Sequence, residues 1–381
     1  MNAFRMRHLE NCLHQFEKAA VVKQPLDIYL KSYFSKHGNV QGADRAWITE
    51  NAYELMRWQG LLDYVAPPPQ NWSTRLRTFF ISDRWRAHSL NERLPAHIRC
   101  SFPETLFRRI ESALGTAKAL NVCNTMNEKP TTFLRVNAMK TRRDKVFKYL
   151  LGKGLPVEKC AHSPVGIQLG GTHRLRDLPE FQQGYFEMQD ESSQLIGFKV
   201  EAKAGDVVMD FCGGSGGKTL VFAPLMENRG RVYVHDPRDS LLMQARQRLR
   251  RAGIENYHLL PPRHPSHLRI RGKCDWVLVD VPCTATATLR RNPERKWDFS
   301  DDKLFEYVHL QREIFEKALA YLKPGGKIVF STASVLDEEN VQQTKYFCEK
   351  HGLYLSEAPF HSLPQSRGME GFFCAVFERQ S

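Results

Sequence analysis

The sequence predicts an α/β fold: a parallel sheet with helices on both faces, preceded by a small α+β segment and an all-α region. Three observations predict it. After residue 195, short apolar runs ending in carboxylates alternate with helical patterns. A four-glycine loop follows the first of those runs. The first 65 residues, by contrast, carry only helical spacing.

The 381 residues include 55 Lys and Arg against 42 Asp and Glu, a net charge of +13, and the pI is near 9.3. At roughly 100–200 residues per domain, two or three domains are expected. With 42% hydrophobic and 25% charged residues, a disordered chain, a collagen and a small disulfide scaffold are excluded. No stretch of 18 residues lacks charge, so no membrane span is expected. No apolar core follows Arg5 and Arg7, so no secretory signal is expected either. Nine dispersed cysteines without a CxxC pair argue against a disulfide framework and against a zinc site, so no metal is expected. The default location is a reducing cytoplasm. Nucleic acid is the natural polyanion for such a charge; a basic surface kept for solubility is the alternative.

Pro25 opens a helix through Leu26, Leu30, Tyr33 and Phe34, and Gly38 ends it. Asp44 is expected to N-cap a second helix containing Ile48, Leu55 and Met56. Pro67-Pro68-Pro69 breaks the chain. Residues 70–100 mix Arg with aromatics, including Trp72, Arg75, Trp85 and Arg86. That mixture suits stacking on RNA, but helical spacing explains it as amphipathic helices with aromatics in the core. A strand is expected over 131–137, then a Lys/Arg-rich helix from about 141 to 151, then two short apolar stretches at 155–157 and 166–169. Strands follow at 207–210, 231–236, 275–280 and 327–331, with a helix carrying Leu304, Val308, Phe315 and Leu319. Ligands of such sheets bind at the carboxyl ends of the strands, where Asp210, Asp236 and Asp280 fall.

The loop reads Asp210-Phe211-Cys212-Gly213-Gly214-Ser215-Gly216-Gly217-Lys218-Thr219. A P-loop needs glycine where Cys212 stands. A dinucleotide fingerprint read from Gly214 puts Thr219 at its third glycine. An S-adenosylmethionine loop remains: a glycine-rich turn after one strand and a ribose-binding carboxylate, Asp236, ending the next. The third strand continues Asp280-Val281-Pro282-Cys283. A thiol beside a methyl donor suits pyrimidine carbon 5, which becomes nucleophilic only when a thiolate adds to carbon 6 and an acid bonds N3. Asp280 and Cys283 supply that acid and thiol; a buried structural cysteine is the alternative for Cys283.

These residues resemble the RsmB-like (Sun/Nop-type) RNA cytosine-C5 methyltransferases. The loop from Asp210 to Thr219 resembles the family's D-x-C-A-A-P-G-G-K-T, and residues 275–297 resemble its P-C-S-G-x-G-x-x-R-R-N-P-x-x-K-W segment. Gly325-Gly326, Glu338-Glu339-Asn340 and Gly371-Phe372-Phe373 follow in order, and upstream Arg135-Val136-Asn137 and the stretch from Gln189 to Gln194 also match. The resemblance implies a NusB-like all-α domain (1–125), an RRM-like subdomain (126–195) and a Rossmann-like class I methyltransferase domain (196–381). It implies S-adenosylmethionine on Cys212, Gly213, Gly214, Ser215, Gly216, Gly217, Lys218, Asp236 and Asp280. It also implies RNA, rRNA rather than tRNA, near Arg290, Arg291 and Lys296. The family nucleophile falls at Ala333, which has no thiol, and the family's other cysteine, linked to releasing the covalent product, falls at Cys283; Ala285 and Ala287 replace glycines, and Pro261 and Pro262 stand where an Asp is frequent. Ala333 fits an engineered change, a silent RNA-binding homologue, or transfer of the nucleophile role to Cys283, the arrangement of DNA cytosine-C5 methyltransferases.

Overall fold

The computed structural model describes residues 2–19, 24–81, 83–171 and 173–379. It divides into two compact units, Met1–Lys129 with Thr288–Asp301, and Pro130–Ala287 with Asp302–Ser381. The sequence division places 288–301 in the catalytic domain, whereas in the structure that segment packs within the helical unit.

The helical unit contains α1 (Ala3–Ala19), α2 (Leu26–Lys36), α3 (Gly42–Val65), α4 (Trp72–Ile81), α5 (Arg84–Ala87), α6 (Ala96–Arg99), α7 (Glu104–Leu114) and α8 (Thr116–Met126). The second helix starts two residues before the expected cap. Asp44 lies in the first turn of α3, where a carboxylate complements the helix dipole, and its Oδ1 accepts from Arg5 Nε at 2.6 Å. Trp72 and Trp85 are buried in the core. Arg75 lies 4.6 Å over Trp72 and pairs with Asp63, and Arg86 lies 4.4 Å over Trp85. The Arg-aromatic stretch is therefore the helical core that its spacing predicts.

The 288–301 segment is anchored in this unit by polar bonds. Arg57 Nη2 donates to Arg290 O at 3.1 Å, and Trp297 Nε1 donates to Met56 O at 2.8 Å. Lys296 Nζ donates to Arg57 O and Asn127 Oδ1 and sits 4.4 Å from the Phe102 ring. A Cβ on Gly60 would come within 2.7 Å of Trp297, so this contact requires glycine.

The second unit begins with an antiparallel sheet of β1 (Thr132–Val136), β2 (Val157–Lys159), β3 (Gly166–Leu169) and β4 (Phe186–Met188), ordered β2-β3-β1-β4. It packs with α9 (Arg143–Gly152) and α10 (Pro179–Gln182). Helix α11 (Glu191–Phe198), capped by the Asp190 side chain, leads to the larger sheet. Its elements are β5 (Val207–Asp210), α12 (Thr219–Phe222), β6 (Arg231–His235), α13 (Asp239–Ala252), β7 (Tyr257–Leu260), α14 (Ser266–Ile270), β8 (Cys274–Asp280), α15 (Asp301–Leu319), β9 (Leu322–Thr332), α16 (Val341–His351), β10 (Leu353–Leu355), β11 (Phe360–Ser362) and β12 (Phe372–Arg379).

The order is β10-β12-β9-β8-β5-β6-β7, with β11 on β12. The strands from β5 to β9 are parallel, but β12 runs antiparallel between β9 and β10, so the sheet is mixed rather than parallel throughout. No crossover helix separates β11 from β12, and short connections allow only antiparallel pairing. Period-2 alternation divides the core. Val208, Val232 and Val234 pack with Leu242 and Leu249 of α13. Met209, Val277 and Val279 pack on the other face with Phe315 and Phe347, whose rings stack 3.8 Å apart.

Candidate active site

The loop after β5 turns tightly because its glycines permit it. Gly214 and Gly216 have φ of 52° and 77°, and a Cβ on Gly213 would fall 2.5 Å from Val234 Cγ1. Gly213 N donates to His235 O at 2.8 Å, tying the loop to β6. The small sheet braces it from the other side. Arg135 Nη1 and Gln189 Nε2 both donate to Gly217 O, at 2.9 and 3.1 Å. Arg248 Nη1 donates to Ser215 O and Oγ. Burial pulls the Arg135 guanidinium down to about 9, with Glu187 opposing the shift.

Asp210 ends β5 fully buried. Its Oδ2 accepts from Thr219 Oγ1 at 2.6 Å, while Oδ1 has no hydrogen-bond partner. Burial raises its carboxyl to about 7 against the Thr219 bond. Burial, followed by the Asp210 charge, also raises the half-buried Cys212 thiol.

Asp236 follows β6 directly. Its Oδ2 accepts from Gly214 N at 3.0 Å and Arg238 Nη2 at 2.9 Å; its Oδ1 accepts from Arg238 N and Nε at 2.9 and 2.8 Å. Burial disfavours the charge, but the Arg238 and Gly214 bonds prevail and hold the carboxyl below the usual range.

Asp280 ends β8, in register with Ser331 of β9. Ser331 Oγ donates to its Oδ1 at 2.9 Å and Lys218 Nζ to its Oδ2 at 2.5 Å. Three residues on, the half-buried Cys283 receives backbone N–H groups from Ala285 and Ala333 at its sulfur. Burial and then the Glu339 carboxylate push the thiol up to about 12; those two N–H groups pull the other way. Glu339 is itself buried, accepting from Thr284 N at 2.9 Å, Thr284 Oγ1 at 2.5 Å and Gln311 Nε2 at 2.9 Å. Ala333 thus lies directly beside Cys283, and its O accepts from Ala287 N at 3.0 Å. Ala285 holds φ of 57°, the left-handed conformation that a glycine would occupy freely.

The structure brings the predicted loop residues 212–218 together with Asp236, Asp280, Cys283 and Ala333 at the carboxyl ends of β5, β6, β8 and β9. It corrects the expectation for the basic segment. Arg290 is 0% and Lys296 1% exposed, both in the helical unit, and burial lowers the Lys296 ammonium to about 7. A buried amine held by two carbonyl oxygens is a structural group. Arg291 is half-buried in the same unit. Sequence reasoning missed Arg238 as a partner of Asp236. The Asp236-Pro237-Arg238 spacing was the available signal, since i and i+2 residues after a strand end can share a turn.

A glycine turn and a strand-end carboxylate on the neighbouring parallel strand are shared by Rossmann-like nucleotide folds, class I methyltransferases among them. Residues 198–378 match the family described as 16S rRNA methyltransferase RsmB/F, and 102–175 match the ferredoxin-like domain of RsmF/B-like methyltransferases. The chain is 30% identical over 302 residues to the probable ribosomal RNA small subunit methyltransferase B of Synechocystis sp., covering 73% of this chain and 67% of that protein. It is also 30% identical over 288 residues to the ribosomal RNA small subunit methyltransferase B of Photorhabdus laumondii, covering 72% and 65%. The match thus spans about two thirds of these relatives' lengths. The crystal structure of PH0851 superposes with a TM-score of 0.80 at 22% identity, covering 100% of this chain and 99% of that one. This chain belongs to the RsmB/F family of 16S rRNA methyltransferases, which are S-adenosylmethionine-dependent.

Proposed function

We propose that this chain methylates carbon 5 of a cytosine in rRNA, using S-adenosylmethionine and Cys283 as its thiol. The observation that carries this reading is the strand-end pair Asp280 and Cys283, the acid fixed by Lys218 and Ser331 and the sulfur aimed at by two backbone N–H groups. The cofactor cradle fits. Gly213, Gly214, Gly216 and Gly217 leave the backbone of the turn open at four positions, and Asp210 Oδ1 is a buried acceptor still lacking a donor. The 212–218 loop and Asp236 would hold the cofactor, which supplies an electrophilic methyl group when bound. For Asp236 to take up ribose hydroxyls, the 64% exposed Arg238 side chain turns outward.

The chain's own residues do the rest. The Cys283 thiol gives its proton to the nearby Asp280 carboxylate as its sulfur adds to carbon 6, the developing thiolate stabilised by the Ala285 and Ala333 N–H groups. Asp280, held by Lys218 and Ser331, passes the proton taken from the Cys283 thiol to N3 of the cytosine. Once carbon 5 carries the methyl group, loss of its proton to a base expels the thiolate. The net charge of +13 supports an RNA substrate, and nine free thiols fit a reducing cytoplasm.

A second reading, a silent RNA-binding homologue, is favoured by one observation: Ala333 fills the family nucleophile position while the neighbouring thiol is raised to about 12. Incubation with labelled S-adenosylmethionine and protein-free 16S rRNA tests the first reading. Digestion should release 5-methylcytidine from the 16S rRNA; label that enters only a parallel incubation with tRNA, or another nucleoside, would displace it.

A further inference from the structure

At the free edge of the large sheet lies a groove of about 690 Å³ between β6, β7 and α13. Arg231, Arg246, Arg250, His258 and His264 line it, all exposed. Glu255 is the one acid among its lining residues. No carboxylate pairs with the three arginines among the described residues.

Helix α13 sorts its arginines in a telling way. Arg248 and Arg251 turn inward and share Glu187. Arg246 and Arg250, four residues apart, turn toward the groove without a partner. Like charges at that spacing cost helix stability, so their placement points to a charge supplied from outside. The field is already cationic within the groove. Burial, followed by the charges of Arg231 and His264, holds the His258 imidazole below its usual value. Tyr257 adds a partly exposed ring in the same groove. Leu260, which lines the groove, is in register with His235, the residue before Asp236.

We infer that this groove holds the phosphodiester backbone of the RNA that carries the target cytosine. The inference rests on the RNA-substrate reading above. Phosphate contacts of this kind fix register without reading sequence and release counterions.

The test measures binding of protein-free 16S rRNA across a salt titration, for the unaltered chain, R231Q/R246Q/R250Q and R246Q/R250Q. A control, K317E/K345E/K350E, alters charge on α15 and α16 instead. S-adenosylmethionine affinity and the melting temperature verify that each variant is folded. The triple groove variant should bind roughly tenfold more weakly at low salt, with a log–log salt slope smaller by about 2–3. The double variant should fall between, and the control should keep the original slope. An unchanged slope in the groove variants, or an equal loss in the control, would overturn the groove assignment. Failure of the unaltered chain to bind the RNA at all would instead overturn the substrate reading on which it rests.

Discussion

Arg238 closes a two-pronged ion pair on Asp236, its Nε and Nη2 lying 2.8 and 2.9 Å from the two carboxylate oxygens. The same carboxylate is the strand-end acceptor that ribose hydroxyls need. An exposed arginine thus competes with the cofactor for one acceptor.

Two opposite effects follow. Asp236→Ala should weaken S-adenosylmethionine binding by about 1–3 kcal/mol, the cost of stranding polar partners. Arg238→Ala should tighten it by up to about fivefold, since ion pairs with an exposed partner contribute about 0.2–1 kcal/mol. Isothermal calorimetry on both variants checks this. Weaker binding by Arg238→Ala would show that the arginine supports the cofactor rather than competing with it.

Asp210 should make stability fall with rising pH. Its folded-state carboxyl is raised to about 7, above the ordinary carboxylate value near 3.9, so the folded state binds more protons between those values. The associated stability is complete below about pH 4 and is lost as pH climbs to about 7, at no more than about 1.4 kcal/mol per pH unit. Asp210→Asn removes that dependence. The stability difference between Asn and Asp forms, followed by urea unfolding, should grow in the Asn form's favour from pH 4.5 to 7.5. A difference that stays constant would contradict the burial argument.

Lys296 should matter for stability and not for RNA. Lys296→Met leaves Arg57 O and Asn127 Oδ1 without their donor, a loss of about 1–3 kcal/mol in denaturant unfolding. The folded variant should keep the RNA affinity and salt slope of the unaltered chain. A reduced slope would restore Lys296 to the RNA contacts.

Much of this was legible in the sequence because periodicity and punctuation are local. The strand-end carboxylates Asp210, Asp236 and Asp280 and the four-glycine loop between strand and helix fall where the pattern puts them. Strand β4 escaped because three residues carry too little alternation, and β12 because its almost continuous burial gives no period to detect. The fate of Arg290 and Lys296 was illegible for a different reason. A basic run suggests solvent and phosphate, and only tertiary packing reveals that Arg57, Asn127 and Phe102 enclose the amine. Alanine at 285 and 287 looks disruptive in sequence, and the structure shows how each is accommodated. Ala285 accepts a left-handed φ, and Ala287 sits against Gly371, where a second Cβ would approach within 2.8 Å.

The role proposed for Cys283 is the chemistry of the thiol absent at position 333. The direct measurement is methyl transfer to protein-free 16S rRNA by the unaltered chain, Cys283→Ala, Ala333→Cys and the double variant, with a denaturing gel for protein–RNA adducts. Transfer by the unaltered chain, and none by Cys283→Ala, is the expected result. A silent unaltered chain that gains transfer with Ala333→Cys, and traps RNA covalently when Cys283 is then removed, would contradict it.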